Sequence, residues 1–138
     1  MTRLSMPKID RKILSNKAEI VSKLKTIVKS KNVLDHEDQT RVYETDALSA
    51  YKQQPFAVVL PESTEEVSKI LKYCNSEGIK VVPRGAGTGL SGGALPLKDS
   101  IILGLGKFNK IIEIDYKNRC VVAQPGVTNL SITRAVED

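Results

Sequence analysis

The sequence contains few of the residues on which metal sites and disulfide frameworks depend. It has one histidine, His36, and two cysteines, Cys74 and Cys120, and no two of these stand at metal-ligand spacing. We therefore predict no metal site, and we expect both cysteines to be buried thiols in a reducing compartment, the cytoplasm. His36 is expected to be a surface loop residue and not a ligand or base.

The sequence also lacks any apolar run of about 18 residues or more, and its first residues contain no apolar signal core. It predicts neither a membrane-spanning helix nor a secretory signal. The net charge of +5 is concentrated in residues 1–31, which hold nine lysines and arginines against two acids. That stretch has no aromatic residue to stack on a base, which argues against nucleic acid as a partner. We interpret it as a solvated basic helix. Contact with an acidic partner, or peripheral contact with the inner face of the cell membrane, stays open.

Isoleucine, leucine and valine recur at helical spacing between residues 8 and 29, with lysines and arginines between them. This pattern is typical of an amphipathic helix, and Pro7 is suited to its first turn. We predict that residues 1–31 form a basic amphipathic helix. Residues 32–54 show no clean period, apart from a short extended piece at residues 33–35.

Residues 57–83 have the pattern of a strand, a helix and a second strand. The first strand covers residues 57–60. Ser63 and Glu66 then fit a capping box, in which each side chain accepts a hydrogen bond from the backbone N–H of the other. Gly78 ends the helix. Two strands joined in this way are expected to be parallel, with a right-handed crossover.

A glycine-rich stretch follows the second strand. Residues 81–96, Val-Val-Pro-Arg-Gly-Ala-Gly-Thr-Gly-Leu-Ser-Gly-Gly-Ala-Leu-Pro, hold five of the nine glycines. Such a loop is costly to order, because glycine loses more conformational freedom than any other residue. Its usual advantage is that bare backbone N–H groups can approach an anion, most often a phosphate. Since open α/β sheets bind ligands at the carboxyl ends of their strands, we predict a phosphate site here.

Other glycine motifs fit the loop less well. Residues 87–92 match the pattern G-x-G-x-x-G, but the nicotinamide dinucleotide version needs a helix directly after the loop. Pro96 and a predicted strand at residues 100–103 leave no room for that helix. A P-loop would need Ser or Thr after a Gly-Lys pair, whereas Phe108 follows Gly106-Lys107. A loop with a purely structural role stays open as a minor alternative.

The remaining sequence alternates strands and turns. Short β-rich runs at residues 100–103, 111–115 and 119–124 predict three strands, the last two joined as a hairpin. Pro125-Gly126 ends the last strand, and Thr128 caps a final helix. Because the sequence stops inside that helix, we expect it to be the N-terminal piece of a longer chain.

Three motifs resemble the FAD-linked oxidase family in their order and spacing. They are Ala-Val-Val-Leu-Pro-Glu-Ser-Thr-Glu-Glu-Val at residues 57–67, Pro-Arg-Gly-Ala-Gly-Thr-Gly-Leu-Ser-Gly-Gly-Ala at residues 83–94, and Gln-Pro-Gly-Val at residues 124–127. The resemblance points to the vanillyl-alcohol-oxidase or PCMH type of FAD-binding domain, and within it to the glycolate oxidase D-subunit and D-lactate dehydrogenase group. It implies an α+β fold in which FAD lies between two subdomains. The first α/β subdomain would cover residues 32–104, and the second would begin at residues 105–138.

The resemblance also implies which residues contact FAD. The glycine loop would hold the diphosphate, Pro61 would lie beside the adenosine, and Pro125-Gly126 would open a further FAD-contacting turn. The full set is Pro61, Pro83, Arg84, Gly85, Ala86, Gly87, Thr88, Gly89, Leu90, Pro125 and Gly126. Some relatives have a histidine that bonds covalently to the flavin at the position of Thr88, so we expect non-covalent FAD here.

Oxidation of a 2-hydroxy acid also needs a base for the hydroxyl proton and a cation for the carboxylate. We identify no catalytic residue of either kind in this sequence. The predicted function is therefore the N-terminal FAD-binding part of a flavin-dependent dehydrogenase or oxidase of glycolate or D-lactate, with other oxidase subunits, such as an iron-sulfur subunit, as partners. The alternative is a stand-alone nucleotide-binding or scaffold module without catalysis.

Overall fold

A four-stranded sheet lies at the centre of the fold in the computed structural model, which describes residues 7–137. Its strands, in chain order, are β1 (Val33–Leu34), β2 (Ala57–Val59), β3 (Lys80–Arg84) and β4 (Ser100–Gly104). Their order across the sheet is β1-β2-β4-β3. β1 is antiparallel to β2, whereas β2 and β3 are each parallel to β4. The two strands predicted within residues 57–83 are thus parallel, but β4 lies between them.

The composition of the strands explains why β4 is central. All five residues of β4 are buried, as is typical of a strand covered on both faces. β3 is largely half-buried and contains Pro83, which has no N–H to donate to a second neighbouring strand. Pro83 therefore fits an edge strand, and within the described residues β3 pairs only with β4.

The helix between β2 and β3, α4 (Thr64–Glu77), begins and ends where the sequence predicts. The Ser63 hydroxyl oxygen accepts a hydrogen bond from the Glu66 N–H at 3.2 Å. The return bond differs from the predicted one, because the Glu66 carboxylate accepts from the Glu62 N–H at 2.6 Å, one residue before the cap. Gly78 ends the helix with a φ of 69°.

The predicted N-terminal helix is broken into two. Asp10 caps α1 (Arg11–Ser15), and α2 (Lys17–Ile27) follows. Asn16 separates them with φ −94° and ψ 10°, and its short amide side chain favours caps and turns over helix interiors. Pro7 lies before α1 and not in its first turn.

Short elements fill the region that shows no sequence period. They are the 3₁₀ turns Ser30–Asn32 and Arg41–Tyr43 and the single-turn helix α3 (Glu37–Thr40). β1 matches the extended piece predicted at residues 33–35. Residues 1–6, which belong to the predicted N-terminal helix, lie outside the described residues.

The hydrophobic core lies between the central sheet and the helices α2 and α4. Leu24 of α2, Ile70 of α4 and Ile101 of β4 are fully buried and belong to one cluster. Among residues 7–137, no helix has both the length and the apolar character that crossing a bilayer requires.

A second, two-stranded sheet follows the first. β5 (Ile111–Asp115) and β6 (Cys120–Ala123) form the predicted antiparallel hairpin. The helix α5 (Asn129–Ala135) begins after Thr128, whose hydroxyl accepts a hydrogen bond from the Ser131 N–H as expected for a cap.

The two cysteines lie in different environments. Cys74 is buried in α4, and burial raises the pKa of its thiol to about 11. Cys120 is exposed, so the expectation that both cysteines are buried is wrong for Cys120. The physical reason is its place at the start of β6, where a two-stranded sheet has too few neighbours to cover both faces.

Candidate functional site

The carboxyl ends of three parallel strands meet at one edge of the central sheet. β2 ends just ahead of Pro61, β3 ends at Arg84, and β4 ends at Gly104. Beyond the strands, the Leu105 N–H donates to the Arg84 carbonyl at 2.9 Å. Open α/β sheets bind ligands at this edge, and the glycine loop starts there, as the sequence predicts.

The glycine loop, residues 83–94, offers a row of backbone donors. Within the described residues, no N–H from Gly85 to Ser91 donates a hydrogen bond to the chain. A Cβ built on Gly85 or Gly89 would meet nothing within 4 Å, so both positions are open toward the surface. A diphosphate can therefore approach the bare backbone and accept hydrogen bonds from several N–H groups at once. The loop fits the diphosphate of a dinucleotide.

The predicted loop residues lie together on the surface at this edge. Ala86, Thr88 and Leu90 are exposed, with Leu90 72% exposed. In this arrangement a diphosphate would be bound by backbone N–H groups of the loop, and a single exposed apolar side chain such as Leu90 is ordinary on a protein surface.

Arg84 is held by a segment for which the sequence predicts no regular structure. Its Nη1 donates to the Thr45 carbonyl at 2.7 Å, and its guanidinium carbon lies 5.5 Å from the centre of the Tyr43 ring. Arg84 thereby fixes the start of the glycine loop to residues 43–45. A guanidinium has five N–H donors, so Arg84 retains donors with which to face an anion.

Gly87 has two reasons to be glycine. Its φ is 76°, a backbone conformation that residues with a side chain rarely adopt. A Cβ there would also stand 2.5 Å from Cζ and 2.8 Å from Nε of Arg84. The guanidinium thus occupies the space that a side chain at this position would need.

The segment of residues 43–53 contacts the other end of the glycine loop as well. The Leu48 side chain comes within 3.9 Å of where a Cβ of Gly92 would lie. Within the segment, the Leu48 N–H donates to Asp46 Oδ1 at 2.9 Å, and the Gln53 N–H donates to the Glu44 carbonyl at 2.7 Å. Sequence reasoning missed these residues, because the segment is ordered by contacts to distant parts of the chain and has no hydrophobic period of its own.

Pro61 differs from the loop residues. Its side chain is less than 2% exposed, so it has no free surface to offer a ligand in this arrangement. The predicted contact with adenosine stays a prediction, and it would have to use the backbone of Pro61 or a shift of its surroundings.

A charged network lies next to Pro61. Lys29 Nζ donates to Glu62 Oε2 at 2.5 Å, and Asn32 Nδ2 donates to Glu62 Oε1 at 3.0 Å. Lys107 donates to Asn32 Oδ1, and its ammonium lies 3.9 Å from Glu62. The hydrogen bond from Lys29, followed by that from Asn32, lowers the pKa of Glu62 to about 2. The network joins the N-terminal region to the segments that follow β2 and β4.

Pro125-Gly126 lies against the chain that leaves β4. The Gly126 N–H donates to the Phe108 carbonyl at 2.8 Å. A Cβ on Gly126 would clash with the carbonyl oxygens of Leu105 and Phe108. The turn therefore joins the second sheet to the edge that carries the glycine loop, and its contact with FAD stays a prediction.

The single histidine lies outside the glycine loop, and metal-ligating side chains do not cluster within the described residues. His36 is exposed at the start of α3. Among residues 7–137, no group of three or more histidine, cysteine, aspartate and glutamate side chains could hold a metal ion.

Residues 55–138 match the family model described as FAD binding domain. The chain belongs to this family. It is 40% identical over 132 residues to the glycolate oxidase subunit GlcD of Escherichia coli K12, covering 96% of the chain and 25% of that subunit. It is also 40% identical over 118 residues to the probable mitochondrial D-2-hydroxyglutarate dehydrogenase of Oryza sativa subsp. indica, covering 86% of the chain and 21% of that protein. The predicted resemblance to FAD-linked oxidases is confirmed, and FAD is the cofactor of the domain.

Solved structures share the fold. The 4-ethylphenol oxidase from Gulosibacter chungangensis superimposes with a TM-score of 0.81 at 28% identity, over 97% of the chain and 26% of the oxidase. p-Cresol methylhydroxylase superimposes with a TM-score of 0.78 at 27% identity. The match covers 94% of this protein's chain and 25% of the hydroxylase chain. The predicted α+β fold of the PCMH type is confirmed. The chain spans about a quarter of the length of the curated relatives it matches.

Proposed function

We propose that the chain is the FAD-binding part of a flavin-dependent dehydrogenase or oxidase that converts a 2-hydroxy acid to a 2-oxo acid. The observation that supports this most is the glycine loop, whose N–H groups from Gly85 to Ser91 are unpaired at the carboxyl edge of the parallel strands. The names of the relatives, a glycolate oxidase subunit and a D-2-hydroxyglutarate dehydrogenase, favour a small 2-hydroxy acid as substrate. Glycolate, D-lactate and D-2-hydroxyglutarate are the candidates.

In this proposal the chain binds and orients the cofactor. The amides of Gly85, Gly87 and Gly89 donate to the diphosphate, and charge-assisted bonds of this kind contribute about 1.5 to 3 kcal/mol each. Arg84 adds a positive charge at the start of the loop. When bound, FAD accepts the hydride that leaves the carbinol carbon of the substrate. The hydroxyl base and the carboxylate-binding cation belong to parts of the protein that this chain does not contain.

The test uses the complete protein encoded by the natural gene. We expect it to purify with the two visible absorption bands of oxidised flavin, and we expect D-lactate, glycolate or D-2-hydroxyglutarate to bleach those bands under anaerobic conditions. L-lactate is the matched control for stereochemistry. A flavoprotein that none of the 2-hydroxy acids reduces would contradict the substrate class, and a protein without flavin would contradict the cofactor site.

The alternative function is a nucleotide-binding or scaffold module without catalysis. A natural stop codon directly after Asp138, with tight FAD binding by the 138-residue chain, would favour it. If FAD is held between two subdomains as proposed, this chain alone binds FAD weakly, since part of the cofactor would then lack its protein contacts.

We also propose that the complete protein is a subunit of a multi-component oxidase, because one relative is named as an oxidase subunit. An iron-sulfur subunit is the proposed electron acceptor, and co-purification of iron with the flavin tests it. The proposed location is the cytoplasm, with peripheral contact at the membrane through the basic N-terminal region. Two lysines of that region already pair with acids, Lys25 with Asp35 and Lys29 with Glu62, so sedimentation with anionic vesicles is expected to be weak and to disappear at high salt.

A further inference from the structure

One buried carboxylate oxygen has no partner among the described residues. Asp46 is 5% exposed, and its Oδ1 accepts a hydrogen bond from the Leu48 N–H at 2.9 Å. Its Oδ2 is buried and makes no hydrogen bond. Burying a polar atom without a partner costs about 1 to 3 kcal/mol, and more for a charged group. Such atoms are rare in folded proteins, and each calls for an explanation.

The position of Asp46 suggests what its partner is. The preceding residue, Thr45, holds Arg84 at the start of the glycine loop. Leu48, two residues later, contacts the end of the loop at Gly92. In sequence, Asp46 therefore lies between the two residues through which this segment contacts the loop.

The loop supplies the complementary groups. Its N–H donors from Gly85 to Ser91 are unpaired among the described residues, while Asp46 provides an unpaired acceptor on the segment that contacts the loop near both of its ends. A movement of the loop that brought one of these N–H groups to Asp46 Oδ2 would satisfy the acceptor and one of the donors. Glycines make such a movement inexpensive, since they change φ and ψ freely.

We propose that Asp46 is a positioning residue for the diphosphate-bound form of the glycine loop. Its Oδ2 accepts a hydrogen bond from a backbone N–H of the loop when the remaining N–H groups of the loop turn toward the diphosphate. The carboxylate acts through the loop and does not touch the diphosphate, which it would repel. This inference rests on the proposed FAD site.

Asp46→Asn tests the proposal in the complete protein. Asparagine has nearly the same shape and keeps one oxygen for the Leu48 N–H, which leaves an NH₂ group where Oδ2 lies. A second donor then faces the loop N–H and cannot accept from it. Asp38→Asn, on the exposed first turn of α3, is the matched control that removes the same charge nearby.

Apo-protein of each variant is titrated with FAD and, separately, with ADP, which has the diphosphate and no flavin. We expect Asp46→Asn to weaken both ligands by a similar factor of about ten or more, while the melting temperature of the apo-protein stays at the wild-type value. Asp38→Asn is expected to match wild type throughout. A merely structural role for Asp46 would lower the apo melting temperature and leave ligand affinity unchanged.

The other outcomes are also decisive. Unchanged affinity for both ligands would overturn the proposal. Weaker binding of FAD with unchanged binding of ADP would overturn it as well, because Asp46 would then contact the flavin half of the cofactor directly. If wild-type apo-protein binds neither ligand, the proposed function fails, and that result is distinguishable because it does not involve the variant.

Discussion

The guanidinium of Arg84 covers the α-carbon of Gly87, at the place where any other residue would carry its Cβ. Arg84 is fixed from its other side by the Thr45 carbonyl and the Tyr43 ring. The shape of the glycine loop therefore depends on a contact within the protein before any ligand arrives. The glycines of the loop therefore have two different roles. Gly87 makes room for the Arg84 side chain within the protein, whereas Gly89 leaves open space on the surface.

Gly87→Ala is expected to destabilise the ligand-free protein and to abolish flavin retention. The positive φ alone costs about 1 to 2 kcal/mol for a residue with a Cβ, and the displaced guanidinium adds to that. Gly87→Val should have the same effect more strongly. The measurement is thermal unfolding of the apo-protein, followed by the flavin content of the purified holo-protein.

Gly89→Ala is the matched comparison. Its Cβ has open space, so the apo-protein should keep its melting temperature while FAD affinity falls, because the methyl group would stand where the diphosphate approaches. Gly106→Ala, also in open space but outside the loop, should change neither quantity. Equal apo stability for the Gly87 and Gly89 variants would contradict the role given to Arg84.

Arg84→Lys should weaken FAD binding by about tenfold, equivalent to about 1.4 kcal/mol. Lysine keeps the charge but lacks the planar fork that contacts Thr45 and stacks over Tyr43 at the same time. Tyr43→Phe, which keeps the ring, is the control and should stay near wild type. The assay is quenching of FAD fluorescence on addition to apo-protein. Full affinity in the Arg84→Lys protein would show that charge alone suffices.

Acid should destabilise the fold through Glu62. The hydrogen bond from Lys29 lowers the pKa of this carboxyl from 4.5 to about 2. A carboxylate whose folded-state pKa is depressed stabilises the protein above its unfolded-state pKa, and this contribution is lost as the pH falls through the folded-state value. The free energy of unfolding should therefore decrease between about pH 4.5 and pH 2, and Glu62→Gln should flatten that decrease. Glu113→Gln, on the exposed hairpin, should follow the wild-type profile.

Asp99 should contribute in the same direction. Burial raises the pKa of this carboxyl, but hydrogen bonds from Lys80 and from the Asp10 N–H outweigh burial, so that its pKa lies below the ordinary value. Its side chain is 1% exposed. Asp99→Asn should lower stability at pH 7, and its effect should shrink as the pH falls through the depressed folded-state pKa of Asp99. A pH-independent loss would indicate that the charge of Asp99 does not matter.

FAD should leave the protein on denaturation. From the resemblance to the FAD-linked oxidases, we predict that Thr88 occupies the loop position at which a histidine bonds to flavin in some relatives. The sequence's single histidine, His36, lies far from it in sequence, at the start of α3. We expect the flavin in the supernatant after acid precipitation and no fluorescent protein band on a denaturing gel. A fluorescent band at the mass of the protein would overturn this prediction.

Much of the local structure could be predicted from the sequence, because caps and periods are local signals. Ser63 and Gly78 bound α4 as expected, and the hairpin and the cap at Thr128 follow their turn chemistry. The order of the strands across the sheet could not be predicted, because the residue pattern of a strand does not indicate which strands pair with it. Pro83 offers a partial signal, since a proline favours the edge position that β3 takes.

The part of the candidate site that could be predicted is the glycine loop, because its composition is unusual. The loop follows from the sequence, whereas the roles of Tyr43, Thr45 and Leu48 do not, because they come from contacts with residues about 40 positions later. The exposure of Cys120 was missed because it depends on how much neighbouring structure covers the residue, and sequence spacing does not show that. The break at Asn16 has a local cause, the preference of a short amide side chain for caps and turns, which the hydrophobic period does not show.

The position of β4 between β2 and β3 has a consequence for biosynthesis. On a ribosome, both flanking strands and the whole glycine loop emerge before the strand that joins them. Until about residue 104 has left the exit tunnel, β2 and β3 have no parallel partner, and the loop is a long unclosed connection whose ordering is delayed by its sequence separation. The ligand site therefore cannot form before β4 is synthesised, and a chain interrupted between residues 84 and 100 would lack the strand that joins β2 to β3.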